Sequence, residues 1–162
     1  MKNKKTIFLT QAAMIAALYV VLTMIANAFG LASGAIQIRL SEMLSILPYY
    51  TAAAIPGLFL GCLLSNMLTG CCLLDIIVGS LATLLGAIGA YFVRKNKWLV
   101  PLPNIIANTV LVPVVLIFGY GLQDALWYLV LTVGIGEIIS GGILGMILLF
   151  ALKKADRIFR TA

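Results

Sequence analysis

The chain has 162 residues, is 63% hydrophobic and only 10% charged, and carries a formal net charge of +6, with a mean hydropathy of +1.15. Soluble domains carry about 25% charged residues, and long apolar runs mark membrane spans, so this composition excludes an ordinary soluble domain. Ten of the eleven Lys and Arg residues fall in three clusters bordering apolar runs (Lys2, Lys4 and Lys5; Arg94, Lys95 and Lys97; Lys153, Lys154, Arg157 and Arg160), a positive-inside pattern that argues against a nucleic-acid-reading face.

The first predicted helix runs from about Ile7 to Phe29. At ~1.5 Å per residue it is long enough to cross a bilayer, and it is too long for a cleavable signal peptide. Ala12 with Ala16 and Ala13 with Ala17 form two overlapping small-xxx-small pairs on it, a spacing that lets another helix approach closely. Residues 36–68 are apolar but interrupted by Arg39, Glu42, Pro48 and Pro56. Leu74–Val93, Leu102–Tyr120 and Ala125–Leu152 are again full-length spans. Small residues recur at Ala82, Gly86 and Ala90, and Gly141 and Gly145 share a helix face with Glu137.

Parity settles the interrupted piece. If the N-terminal lysines and the Arg94–Lys97 cluster are both cytoplasmic, residues 36–68 begin and end outside. Two short crossings split near Pro48–Ala53, or a re-entrant hairpin, satisfy this; one span does not. Two crossings give an all-α membrane protein of six transmembrane helices. The second and third are short, both termini are cytoplasmic, and residues 1–162 form one domain. Proline-broken spans are tolerated where protein surrounds them.

With this topology Arg39, Glu42, Asp75 and Asp124 fall near the outer ends of helices, as does Asn66. Glu137 lies ~20 Å below the outer start of the last span, near the midplane. An intramembrane carboxylate is a functional candidate by default. The polar residues thus describe a cavity open to the outside that leads to one buried carboxylate. Plainer roles compete: Asp75 and Asp124 as helix N-terminal caps, Arg39 with Glu42 as an i, i+3 pair, and Asn104 with Asn108 as bonds between helices. The chain has no histidine, which removes His-assisted nucleophilic catalysis and most zinc sites. Its three cysteines, Cys62, Cys71 and Cys72, lack metal-ligand spacing and read as small packing residues. There is no GxxxxGK[ST] loop, so any ATP-driven step needs another subunit.

The segments IQIRLSEMLSILPYYTAAAIPGLFLGCLLSN, LDIIVGSLATLLGA and VGIGE, in that order, resemble the QueT family. Members are substrate-binding (S) components of energy-coupling factor (ECF) transporters associated with uptake of queuosine precursors. The resemblance covers nearly the whole chain. It implies a six-helix subunit of the bacterial plasma membrane that captures its ligand outside. Such a subunit docks on a transmembrane coupling protein bearing two ATPases, and is itself neither an enzyme nor a holder of metal or cofactor. An AxxxA motif on the first helix would face the coupling protein, at Ala12–Ala16 or at Ala13–Ala17. The implied ligand is a 7-deazaguanine, such as the aminomethyl or cyano precursor or the queuine base; its guanine edge presents N–H donors, and the aminomethyl form adds a cationic amine. On this reading Glu137 grips those donors, Glu42 takes a second donor or the amine, and Arg39 orients Glu42. Asn66 and Asp75 are further candidates, with Tyr49, Trp127 or Tyr128 stacking on the ring. The alternatives are a stand-alone proton-coupled transporter using Glu137, and a non-transporting membrane scaffold.

Overall fold

A computed structural model describes residues 4–31 and 37–153. Lys2, Lys154, Arg157 and Arg160, on which the expected placement of both termini rests, lie outside the described residues.

The described residues form α1 (Lys4–Ala28), a 3₁₀ helix (Leu40–Tyr49), α2 (Ala54–Leu68), α3 (Asp75–Val93), α4 (Leu102–Tyr120) and α5 (Leu126–Leu152). No strand occurs among them. Helices α1, α3, α4 and α5 are each long and apolar enough to cross a membrane. Observed limits follow the apolar runs closely, and Leu102–Tyr120 coincides. Helix α1 starts three residues before Ile7, at Lys4, because lysine is a good helix former and extends the helix past the apolar run. Two single π-turns widen the long helices: Asp75–Gly79 opens α3, and Ile138–Leu144 interrupts α5 immediately after Glu137. Such turns frequently mark functional sites.

The two short pieces between α1 and α3 differ in kind. At ~2.0 Å per residue the ten-residue 3₁₀ helix extends ~20 Å, where an α-helix of that length would reach ~15 Å. Runs this long are uncommon, and burial of seven of its ten residues holds this one in place. Helix α5 makes room for it with glycines. A Cβ at Gly136 would overlap the Gln37 carbonyl, and one at Gly145 would lie 3.1 Å from Ile46 Cγ2. The 3₁₀ segment thus lies along α5, in a slot where side chains are missing.

Close contact between α1 and α2 uses the same device. A Cβ at Gly57 would lie 2.8 Å from the Ala12 carbonyl oxygen, and one at Gly61 only 2.6 Å from Tyr19 Cβ. Ala12, Ile15, Ala16 and Tyr19 are therefore the buried face of α1, against Leu58 and Cys62 of α2. Ala13 and Ala17 are exposed. Of the two overlapping alanine pairs, one is internal packing and the other is surface.

The bundle has two chemically distinct ends. Lys4, Lys5, Arg94, Lys95, Lys97 and Lys153 mark the starts or ends of helices at the basic end. The last turns of α1, α2 and α4 and the first turns of α3 and α5 meet at the other end, around a cavity. The 3₁₀ helix passes from that cavity to the basic end, where the hydroxyl of the next residue, Tyr50, donates to the Leu149 carbonyl at 2.6 Å.

Candidate functional site

The cavity holds about 310 Å³, at the small end of the ~300–1,000 Å³ typical of small-molecule sites. Its walls come from Thr23 and Asn27 of α1, Arg39 and Ser41, Asn66 of α2, Cys71, Asp75 of α3 and Tyr120 of α4. The sequence candidates Arg39, Asn66 and Asp75 are brought together here. A smaller space of about 260 Å³ adjoins it, sharing Gln37, Leu116 and Leu122 and adding Asp124 and Tyr128.

Asp75 is the charged centre of the cavity. Its Oδ2 accepts the Tyr120 hydroxyl at 3.0 Å and lies 3.8 Å from the Arg39 guanidinium. Its Oδ1 is buried without a hydrogen-bond partner. Asn66 is tied to the same turn, its Nδ2 donating to the Asp75 backbone carbonyl at 3.2 Å. Gly79, one turn on, leaves the space in which Asp75 Oδ1 and Asn66 Nδ2 lie; a Cβ there would sit 2.9 and 3.2 Å from them. Neither α3 nor α5 starts with a side-chain cap, so the capping expected of Asp75 and Asp124 is absent. Arg39 likewise pairs with Asp75 and not with Glu42 at i+3, because its side chain points into the cavity while Glu42 points into the bundle.

Glu42 is a fully buried anchor between helices. One carboxylate oxygen accepts the Tyr19 hydroxyl of α1, and the other accepts Asn104 Nδ2 of α4 at 2.8 Å. Each oxygen has a protein partner, and the side chain is only 1% exposed, so Glu42 does not present itself to the cavity. Asn104 thus bonds between elements as expected. Tyr19 also lines the cavity, so it forms a partition with Glu42 behind it.

Glu137 is buried on α5 but does not line either space. Asn108 of α4 faces it, and its Oε2 has no hydrogen-bond partner. A Cβ at Gly141 would lie 3.6 Å from Ser45 Oγ and 3.8 Å from both Glu137 Oε2 and the Glu42 carbonyl oxygen. Three oxygens therefore converge on the space beside Gly141. Asn104 Oδ1, Asn108 Nδ2, Ser45 Oγ and Ser140 Oγ are also buried and unpartnered. Buried polar atoms are nearly always hydrogen-bonded, so this concentration in the same part of the bundle is unusual. The VGIGE segment has a geometric explanation: Gly134 faces Thr109, Gly136 admits the Gln37 backbone, and Glu137 turns inward.

The remaining candidates lie elsewhere. Tyr49 packs edge-on against Tyr50, with ring centroids 4.8 Å apart, at the far end of the 3₁₀ helix. Trp127 is 71% exposed and outside both linings, whereas Tyr128 borders the smaller space. Cys62 packs in the core, while Cys71 and Cys72 are half-buried. Among the described residues no group of His, Cys, Asp and Glu is placed to hold a metal. Sequence reasoning missed Tyr19, Ser41 and Tyr120. Hydropathy treats tyrosines in apolar helices as core or interface residues, and no local spacing ties them to carboxylates 23 and 45 residues away.

A model of the QueT transporter family matches residues 9–154. A protein of Lactococcus lactis subsp. cremoris (strain MG1363) named Queuosine precursor transporter QueT is 40% identical over 84 residues, 52% of this chain and 49% of the relative. The match thus spans about half the relative's length. No solved structure matches.

Proposed function

The chain belongs to the QueT transporter family, and from that premise we propose that it is the substrate-capturing membrane subunit of an importer for a queuosine precursor. The observation that carries the proposal is the cavity at the end opposite the basic clusters, with a buried carboxylate oxygen, Asp75 Oδ1, left without a partner. A 7-deazaguanine with an aminomethyl group combines N–H donors with a cation, and a carboxylate serves both. On this reading Asp75 receives the amine or an N–H donor. Tyr120 and Arg39 hold that carboxylate in place, and Asn66 holds the backbone of its turn. Glu42 acts as the anchor of the partition and Tyr128 as the aromatic neighbour.

Glu137 is the inner acceptor. Gln37, Arg39 and Ser41 line the cavity on one side, and Gln37 presses on α5 beside Glu137 on the other. Movement of this short segment would expose Glu137 Oε2 and the unpartnered serines to the base edge.

The four long helices make this a multi-pass membrane protein. The 3₁₀ helix and α2 complete six crossings in a plasma membrane, with the cavity outside and the basic end in the cytoplasm, following the positive-inside rule. One domain spans residues 1–162. ATP hydrolysis belongs to partner subunits, reached through an ECF coupling protein. The exposed Ala13–Ala17 face of α1 is the available docking surface, since Ala12 and Ala16 are already packed against α2.

The test is calorimetric titration of the purified, detergent-solubilised protein with aminomethyl-7-deazaguanine, with guanine as control. Saturable one-to-one binding of the former is expected without any partner. No binding in a folded sample rejects the assignment. Uptake by vesicles containing this chain alone, driven by a pH gradient, would instead identify a stand-alone proton-coupled transporter.

A further inference from the structure

We propose that an anionic glycerophospholipid occupies the groove between α4 and α5 at the basic end, its acyl chain in the groove and its phosphate on Lys97. The groove is shallow and open to the outside of the bundle, offers about 490 Å³ and is lined by apolar side chains, among them Leu102 and Ile105 on one wall and Ile143 and Ile147 on the other. From Ile138 to Phe150 it follows thirteen residues of α5, ~18 Å of helix between the two ends, slightly more than half the ~30 Å hydrocarbon core. It is the depth of one leaflet. The π-turn Ile138–Leu144 widens α5 along this stretch, and Gly142 supplies no side chain to fill it.

Charge selects the occupant. Lys97 Nζ lies 5.5 Å from the Trp98 ring and 5.0 Å from the Phe150 ring, the aromatic pair that borders the groove at this end with centroids 5.7 Å apart. Arg94, Lys95 and Lys153 are exposed at the same end. The described acids lie elsewhere: Asp75 and Asp124 at the cavity end, Glu42 and Glu137 in the interior. A cation at an aromatic-lined interface above an apolar groove matches a phosphodiester over a hydrocarbon chain. A zwitterionic lipid gains less from that cation cluster, and a neutral helix gains nothing from it. This inference rests on the membrane placement alone and is independent of the ligand proposed for the cavity.

Trp98 reports on the groove directly. In a Trp127→Phe background it is the single tryptophan, and bromine on a lipid chain quenches it on contact. The protein is reconstituted into phosphatidylcholine bilayers. A small fixed fraction of the lipid is brominated phosphatidylglycerol in one sample and brominated phosphatidylcholine in the other. At least threefold stronger quenching by phosphatidylglycerol is expected, weakened by high salt and abolished by Lys97→Gln, which changes only a half-buried side chain. A Cβ at Gly142 would meet Ile105 Cδ1 at an ordinary 3.5 Å, so Gly142→Leu fills the groove and should lower quenching by both lipids. Equal quenching by the two lipids, or a preference that survives Lys97→Gln, overturns the proposal. So does quenching by neither, which would mean that protein covers the groove.

Discussion

Asn104 of α4 donates its side-chain amide to Glu42 of the 3₁₀ helix at 2.8 Å, across 62 residues of sequence. With the Tyr19 hydroxyl on the other oxygen, this bond ties α1 and α4 to one buried carboxylate. Replacing Asn104 by Leu removes the donor and strands a carboxylate oxygen in the interior, which costs about 1–3 kcal/mol, and more if the group is charged. Thermal unfolding in detergent should show a clearly lower midpoint for Asn104→Leu, and a lower one for Tyr19→Phe. Unchanged melting in both would mean that Glu42 does not anchor the bundle.

The α1–α2 contact makes a steric prediction. Gly61→Leu places a side chain where Tyr19 Cβ already lies within 2.6 Å of the first added carbon. Overpacking of this kind costs typically 1–3 kcal/mol, and it also pushes Tyr19 away from Glu42. The melting midpoint should fall at least as far as for Tyr19→Phe. A variant as stable as the parent would show that the two helices are not in close contact.

Binding should separate the charged residues by position. Asp75→Asn keeps the shape but removes the charge and one acceptor, so affinity for aminomethyl-7-deazaguanine should fall more than tenfold, ~1.4 kcal/mol. Glu137→Gln should weaken it too if the base reaches the inner acceptors, because an amide donor would then face the ligand's donors. Trp127→Ala should leave affinity within a factor of two, since Trp127 is outside the lining. Normal binding by Asp75→Asn rejects the cavity role. Normal binding by Glu137→Gln alone confines the ligand to the cavity.

The native cysteines test which end faces out. Cys71 lines the cavity, Cys72 is half-buried beside it, and Cys62 is in the core. A membrane-impermeant maleimide added to intact cells should label Cys71 or Cys72 but not Cys62, and ligand should protect Cys71. Labelling only after the membrane is opened would invert the proposed topology.

The docking proposed for the exposed alanine face predicts a split between uptake and binding. Ala13→Trp and Ala17→Trp should abolish ATP-driven uptake in the assembled importer while ligand binding stays within twofold. Ala12→Trp and Ala16→Trp, on the buried face, should lower thermal stability instead. Uptake by an Ala13→Trp, Ala17→Trp double variant at the parent rate would place the coupling protein on another surface.

Apolar run lengths and clustered lysines were sufficient to determine that this chain is an all-helical membrane protein with four long spans, because lipid requires every backbone amide to be satisfied within its own helix. They also located the break near Pro48 and the buried position of Glu137, both of which follow from one-dimensional spacing. The partners of the charges were decided only by the tertiary structure. Arg39 belongs to Asp75 and not to Glu42, Glu42 belongs to Tyr19 and Asn104, and Tyr120 belongs to Asp75. Local spacing offered the nearer pairings, but Arg39 is in extended backbone just before the 3₁₀ helix that carries Glu42, and the two side chains meet different surroundings. The two alanine pairs differ by one residue, about 100° around a helix, and only the approach of Gly57 and Gly61 chose which is buried. Hydrophobic patterning specifies how much of a helix is apolar. Which neighbour a face meets is set by close packing among segments far apart in the chain.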